Sequence, residues 1–253
     1  MKIISLNTWG GRAGKDELLS FFKKHNGSID IFCLQEIWSA PYEHLEVAGG
    51  RPIEHDTILV YGLQEISSIL KDYVAYFRPH HLENYGLLTL VHTKHHVIAE
   101  GEVFVHKYKE YVPVGDIGNH ARNIQYVTID DEGKNLTIIN FHGLWNGMGK
   151  TDSDDRLLQS NNILTFTKAL TNDYVLIGDF NLLPNTKSIS LLEESGMRNL
   201  VKEYEITSTR TSYYKKQDTF ADYALVSKGV IVNDFKVLPD EVSDHSPLYL
   251  DCN

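Results

Sequence analysis

Short runs dominated by Ile, Val, Leu and Tyr recur along the chain, with polar residues at nearly every break between them. Read as half-buried or fully buried strands, they fall at 2–7, 30–35, 73–78, 86–92, 96–105, 122–130, 135–141, 174–179, 222–227, 230–238 and 247–251. Longer stretches at 14–25, 57–72, 154–171 and 187–196 carry the wider apolar spacing of helices. Over 154–171 the spacing puts Leu157, Leu158, Asn161, Leu164, Thr165 and Ala169 near one face, after the capping cluster Asp152-Ser153-Asp154. The segment Asp131-Glu132-Gly133-Lys134 between two strands predicts a hairpin. No repeat, low-complexity block or Pro/Gly/Ser-rich linker divides residues 1–253, so the expectation is one domain. So many strands with so few helices exceed a simple parallel sheet. Two sheets face to face with helices outside would bury them, an α/β sandwich of four layers.

Five of the apolar runs end in an acid, an amide or a histidine. Ile3–Leu6 leads to Asn7, with Thr8-Trp9-Gly10-Gly11-Arg12 beyond, and Ile31–Leu34 leads to Gln35-Glu36. Leu136–Ile139 continues through Asn140-Phe141 to His142, Tyr174–Ile177 runs into Gly178-Asp179-Phe180-Asn181, and Ser243-Asp244-His245 precedes Leu248-Tyr249-Leu250. A lone Asn or Asp after a strand is an ordinary turn former or helix cap. Five together differ, because residues at one edge of packed sheets converge, and α/β proteins build their sites there. Glu36, Asp179 and Asp244 with the amide oxygens of Asn7 and Asn181 form a hard oxygen-donor set suited to Mg²⁺ or Mn²⁺, with no cysteine in it to favour zinc.

Composition narrows the picture. Apolar residues make up 42% and charged residues 23%, as in an ordinary globular protein, and no run approaches the about 18 apolar residues of a membrane span. The 24 basic and 34 acidic residues leave a net charge of −10, which opposes a whole-surface grip on a polyanion. The acidic excess has two readings: a solvated surface, or carboxylates gathered around a divalent cation. Two cysteines make no disulfide framework, and the opening Met1-Lys2-Ile3-Ile4 is too short an apolar stretch for a secretory signal, so the expected location is cytoplasmic.

The ordered series Asn7, Gln35-Glu36, His142, Gly178-Asp179-Phe180-Asn181, Asp222-Tyr223 and Ser243-Asp244-His245 resembles the endonuclease/exonuclease/phosphatase superfamily, over residues 3 to about 250. The resemblance implies a deoxyribonuclease I-like αββα sandwich of two mixed, mainly antiparallel sheets, and Mg²⁺- or Mn²⁺-dependent hydrolysis of phosphoesters by activated water. It implies metal ligation by Glu36, Asn7 and Asp244, with Asp179 orienting or deprotonating the water and Asn181 fixing that carboxylate and contacting phosphate. His245 would touch the phosphoryl oxygen while Asp222 holds its ring. His142 would be a phosphate ligand or general acid, with Glu83 as a candidate partner. The chain is thus expected to be a phosphodiesterase or nuclease, or else a sphingomyelinase-like, inositol-phosphate or small-metabolite hydrolase. A non-catalytic scaffold would have lost catalytic residues, and none of the expected set is missing. No obligate protein partner is evident and a monomer is expected.

Arg122 and Arg156 each have two readings, a phosphate contact or a structural ion pair. Loop 205–221 gathers Arg210, Tyr213, Tyr214, Lys215 and Lys216, either a base-stacking and phosphate-reading surface or a solvated loop. Trp9, Trp38 and Trp145 follow catalytic-strand segments and are candidates for a cleft rim. His92, His95 and His96 have no accompanying acid or cysteine and are not expected to form a second metal site.

Overall fold

A computed structural model describes residues 1–40, 57–114, 117–131 and 133–253. Twelve strands form two six-stranded sheets. The first holds β1 (Lys2–Asn7), β2 (Ile31–Trp38), β3 (Tyr73–His81), β4 (Tyr85–His92), β11 (Val232–Val237) and β12 (Leu248–Cys252), in the order β11-β12-β1-β2-β4-β3. The second holds β5 (His96–His106), β6 (Arg122–Asp131), β7 (Lys134–His142), β8 (Asp173–Asp179), β9 (Arg198–Asn199) and β10 (Asp222–Val226), in the order β5-β6-β7-β8-β10-β9. Each sheet contains one parallel pair, β1–β2 and β7–β8, and is otherwise antiparallel.

The sheets stack because their strands are apolar on facing sides: Ile3, Ile31 and Val91 of the first share a core with Ile124, Ile138, Val175 and Leu225 of the second. Helices α1 (Lys15–His25) and α2 (Gly62–Ile69) cover the outer face of the first sheet through Leu18, Phe21, Phe22 and Ile66 against Phe32 and Leu88. Helices α3 (Asp154–Ala169) and α4 (Lys187–Glu194) cover the second, and a single turn, α5 (Leu200–Glu203), follows β9. This is the four-layer αββα sandwich of two mixed sheets. The wide helix expected over 57–72 contracts to α2 within the described residues, and much of the expected 38–56 loop lies outside them.

The buried stripe of α3 differs from the expected one. Arg156, Gln159, Ser160, Ile163, Leu164 and Thr167 face inward, whereas Leu158, Asn161, Thr165 and Ala169 are exposed. The reason is polar. Arg156, buried, donates to the carbonyls of Leu144, Gly149 and Thr151, and the Gln159 carbonyl accepts from the Leu144 N–H at 3.0 Å. Arg156 is therefore a structural clamp on the 143–153 loop, and it pairs with carbonyls rather than an acid. Asp152 leaves the start of α3 to Ser153 and instead accepts from the Lys187 and Ser188 N–H groups at the first turn of α4.

Between the sheets runs a seam of buried amides. Gln35 Nε2 of β2 donates to Asn140 Oδ1 of β7 at 2.7 Å, and Asn140 Nδ2 returns bonds to the Leu34 and Leu88 carbonyls and to Thr89 Oγ1. Thr89 in turn donates to Gln125 Oε1 at 2.9 Å. Every partner on this seam belongs to the protein, so removing one side chain strands the others without water to replace it. Asn140→Ala is expected to lower the free energy of unfolding by about 2–4 kcal/mol. Urea unfolding should show a lower midpoint at unchanged slope; a wild-type midpoint would mean the seam contributes nothing to holding the sheets.

Candidate active site

The two parallel pairs end at the same edge of the sandwich. In the first sheet Asn7 is in register with Gln35, and in the second His142 with Asp179. Antiparallel β10 starts there too, with Asp222 opposite Asp179. Strand-end residues that are far apart in sequence thus meet at one place.

Local backbone geometry aims them. A bulge in β2 between Leu34 and Ile37 breaks the pairing with β4 and leaves Glu36 at φ 59°, which turns its carboxylate out of the strand's alternation. Asn181 (φ 53°) and Trp9 (φ 51°) are also left-handed without being glycine. Such conformations cost roughly 1–3 kcal/mol each and persist where the surroundings over-determine them. Gly178, at φ 148°, precedes Asp179 where a Cβ would lie 2.0 Å from the Phe141 carbonyl oxygen. The residue before the buried acid must therefore be glycine for β8 to lie this close to β7.

Asp179 is the hub. Its Oδ2 accepts from Asn7 Nδ2 at 2.9 Å across the sheets, and its Oδ1 accepts from the Asn181 N–H at 2.8 Å. The Nε2 atoms of His142 and His245 each stand 3.6 Å from Oδ2. Asn7 Nδ2 also donates to Glu36 Oε1 at 3.2 Å, while its oxygen accepts from the Trp9 N–H at 2.9 Å. In this arrangement Asn7 bridges the two acids through nitrogen and offers no free oxygen.

The two histidines are held in opposite tautomers. Arg122 donates to His142 Nδ1 at 3.2 Å, so the His142 proton sits on Nε2, facing the cleft. Asp222 lies 2.9 Å from His245 Nδ1 through each oxygen, so that nitrogen carries the His245 proton and Nε2 presents a lone pair. Thr209 Oγ1 donates to Asp222 at 3.0 Å and fixes the carboxylate behind the ring. Burial pushes the Asp222 pKa up to about 6, against the pull of Arg210, Thr209 and Lys150. Burial, reinforced by Arg210, brings His245 down to about 4. Near neutral pH the dyad is therefore a carboxylate beside a neutral imidazole. His142 is also pushed well below its ordinary value, by burial first and by Arg122 next.

Glu36 and Asp244 are both raised by burial, with Arg12 chief among the groups opposing this for Glu36 and His245 for Asp244. Asp244 Oδ2 accepts from Arg210 at 2.9 Å, but its buried Oδ1 has no hydrogen-bond partner. Acids held in this way stand ready for a cation. The tightest set of possible ligand atoms among the described residues is Asp179, Asp222 and His245, within 4.8 Å of one another. The Asp222 oxygens, however, are already committed to His245 and Thr209. The donors left facing the cleft are Glu36, Asp179 and Asp244.

The cleft these residues open into has a volume of about 330 Å³. Glu36, Arg122, His142, Asp179, Asn181, Asp244 and His245 line it, while Asn7 and Asp222 stand one layer behind. Trp9, Trp38 and Trp145 all contribute to its walls. Glu83 does not join them. It is exposed in the β3–β4 turn, beside a separate depression with Lys109 and Tyr111, and the position against His142 Nδ1 is taken by Arg122. His95 meets Asp30 and His92 packs edge-on against Tyr73, so the 92–96 histidines point to different neighbours.

Three features were invisible in the motifs. Lys150 lines the cleft and is buried, its Nζ donating to the Phe220 carbonyl. Arg210 is buried beside Asp244, and its guanidinium lies 4.1 Å from the Tyr214 ring centre. His81 and His120 stack at 4.6 Å on the wall next to Arg122. No local signal marks Lys150, because its burial comes from a loop some 60 residues downstream. The basic-aromatic content of 205–221 marked Arg210 and Tyr214 but not which way they face. Tyr214 enters the cleft, whereas Tyr213 is exposed.

The family model described as Endonuclease/Exonuclease/phosphatase family matches residues 4–245. Among solved structures, an endonuclease/exonuclease/phosphatase family protein from Leptotrichia buccalis C-1013-b is similar with TM-score 0.72 and 18% identity, over 100% of this chain and 99% of that one. The mannosyl-6-phosphatase Bt3783 of Bacteroides thetaiotaomicron VPI-5482 gives 0.76 and 14%, again over 100% and 99%. ANGEL2, a 2',3'-cyclic phosphatase, gives 0.69 and 12%, over 99% and 94%. At these identities the likeness is one of fold. No curated protein matches the sequence.

The tautomers are directly observable. ¹⁵N-resolved imidazole spectra near pH 6.5 should show His245 neutral with its proton on Nδ1, and His142 neutral with its proton on Nε2. Because the His245 pKa lies below its ordinary value, its ring should stay neutral on acidification until about pH 4. An imidazolium signal for His245 at pH 6 in the metal-free protein would contradict the assignment.

Proposed function

The chain belongs to the Endonuclease/Exonuclease/phosphatase family, and on that premise we propose that it hydrolyses phosphoesters by attack of water on phosphorus, assisted by a hard divalent cation. The observation that carries this reading is the convergence on Asp179, where one buried carboxylate is met by Asn7, Asn181, His142 and His245. Glu36, Asp179 and Asp244 would hold Mg²⁺ or Mn²⁺, since all three present hard oxygens and Asp244 Oδ1 lacks any other partner. When bound, such an ion neutralises phosphoryl charge and makes water more acidic.

The chain's own residues supply the rest. Asp179, fixed by the Asn181 N–H and by Asn7, orients the water and accepts its proton. His142 offers Nε2–H as a donor to the phosphate or its leaving group, in a tautomer that Arg122 enforces. An anionic phosphoryl group offsets the cost of a buried imidazolium, so its arrival favours protonation of His245. Nε2–H then points at a phosphoryl oxygen and Asp222 stabilises the charge at Nδ1. Asn181, at the cleft wall, contacts phosphate, and Arg122 adds its charge through the His142 ring.

A compact substrate fits better than a nucleic-acid chain. The cleft volume suits a small phosphorylated molecule, its tryptophan walls bound it, and the net charge of −10 opposes a polyanion beyond it. Location is left at one fact: among the described residues no helix is long and apolar enough to cross a membrane.

Purified protein should hydrolyse p-nitrophenyl phosphate or bis-p-nitrophenyl phosphate, lose that activity with EDTA and regain it with Mg²⁺ or Mn²⁺. Asp179→Asn should reduce turnover about 10³-fold, because water alignment and metal ligation fail together. Activity indifferent to chelation, or a variant within tenfold of wild type, would overturn the mechanism. Preference for DNA or RNA oligonucleotides over small phosphoesters would restore the nuclease reading.

A further inference from the structure

Lys150 is 2% exposed, yet no carboxylate lies within ion-pair distance of it among the described residues. Its ammonium has one acceptor, the Phe220 carbonyl at 2.9 Å, and stands 4.6 Å from the Tyr214 ring centre. Asp179, Asp222 and Asp218 act on it only from farther away. A buried cation ordinarily has an anion beside it, because burying a lone charge is costly. Lys216 repeats the pattern at the cleft mouth: it lies 5.2 Å above the Trp145 ring with no acidic partner among the described residues. Arg210, on the same ring of Tyr214, gives one nitrogen to Asp244 but keeps a buried Nε without a partner. The faces of Tyr214 and Trp145 therefore carry cations, which suits an anion here better than a stacked base.

Resting on the phosphoester reading of the same cleft, we propose that Lys150 and Lys216, with Arg210 between them and the reaction centre, form a second anion subsite. It selects a compact substrate that bears another anionic group, phosphate or carboxylate, besides the phosphoryl group being cleaved. The scissile group is served by Asp179, His142, His245 and Arg122; Lys150 sits on a different loop, 143–153, and faces the cleft from the side of Tyr214. The second group is unchanged by the reaction, so its binding appears as selectivity between substrates.

The test uses matched pairs that differ by one anionic group, in the presence of Mg²⁺. Wild-type protein should release phosphate from glucose 1,6-bisphosphate with kcat/KM at least tenfold above glucose 6-phosphate. It should likewise bind 1,3-propylenediphosphonate at least tenfold more tightly than propylphosphonate by calorimetry. Lys150→Met and Lys216→Met should each cut these ratios severalfold. Lys216 is exposed, so its variant folds even if the Lys150 variant does not. Equal affinities within the phosphonate pair, or ratios unmoved by Lys216→Met, would overturn the subsite. If p-nitrophenyl phosphate is hydrolysed with Mg²⁺ while both ratios stay near one, only the subsite fails. If no phosphoester is hydrolysed, the reading beneath it fails as well. A protein that accepts neither sugar phosphate is judged on the phosphonate pair.

Discussion

The site depends on the two sheets being held at one fixed offset, and polar contacts set that offset. Apolar side chains from both sheets fill the interior, but dispersion and burial are non-directional and tolerate sliding. Hydrogen bonds between the sheets do not. Gln35 to Asn140 and Asn7 to Asp179 tie residues from opposite layers at 2.7 and 2.9 Å, each within a dry interior. A shift of one residue would break both and leave four amide or acid groups unsatisfied. The second contact is itself part of the candidate site, so the bond that registers the sheets also orients the carboxylate at its centre. Ser243 extends the same lock by donating to the Asn7 carbonyl at 2.7 Å and accepting from the His245 N–H at 3.2 Å. The Ser-Asp-His segment is thereby anchored to the end of β1.

Much of this was legible along the chain. All the long strands were visible because their apolar runs are rich in β-branched residues and end abruptly in polar ones, and the site was visible because those ends carry acids, amides and histidines. β9 and α5 escaped notice, since two residues of strand and one turn of helix carry too little periodicity to register. The face of α3 was misread for a physical reason: apolar spacing selects the core side only when the core needs apolar groups, and Arg156 and Gln159 are buried here to hold loop carbonyls. Glu83 was placed beside His142 through a resemblance. This chain uses Arg122 there, and a cation at Nδ1 enforces the tautomer opposite to the one an acid would. Lys150 carried no signal at all. Its meaning comes from Tyr214 and Phe220, which reach it only through the fold.

The acidic balance of the whole chain gains a different sense once the cleft is in view. Among the residues lining it, Arg12, Arg122, Lys150, Arg210 and Lys216 outnumber Glu36, Asp179 and Asp244, so the cleft is locally cationic within a protein of net charge −10. Between low-dielectric walls such a local excess is felt strongly, while the surface around it repels extended polyanions. The two effects together discriminate by size as well as by sign: a small anion can leave the repulsive exterior behind, whereas a polymer remains in it. A divalent ion at the acids would steepen that contrast, because it would turn the cleft's remaining negative edge positive. The three tryptophans then act on the same variable from another direction, since they limit the space in which the cationic groups can be reached. Shape and charge therefore point to one class of molecule, compact and more highly charged than a single diester. The buried lysine without an acid is the residue at which that conclusion bears most directly on the chain's own energetics, because its burial without a counter-ion costs stability in the empty protein that an anionic ligand would restore.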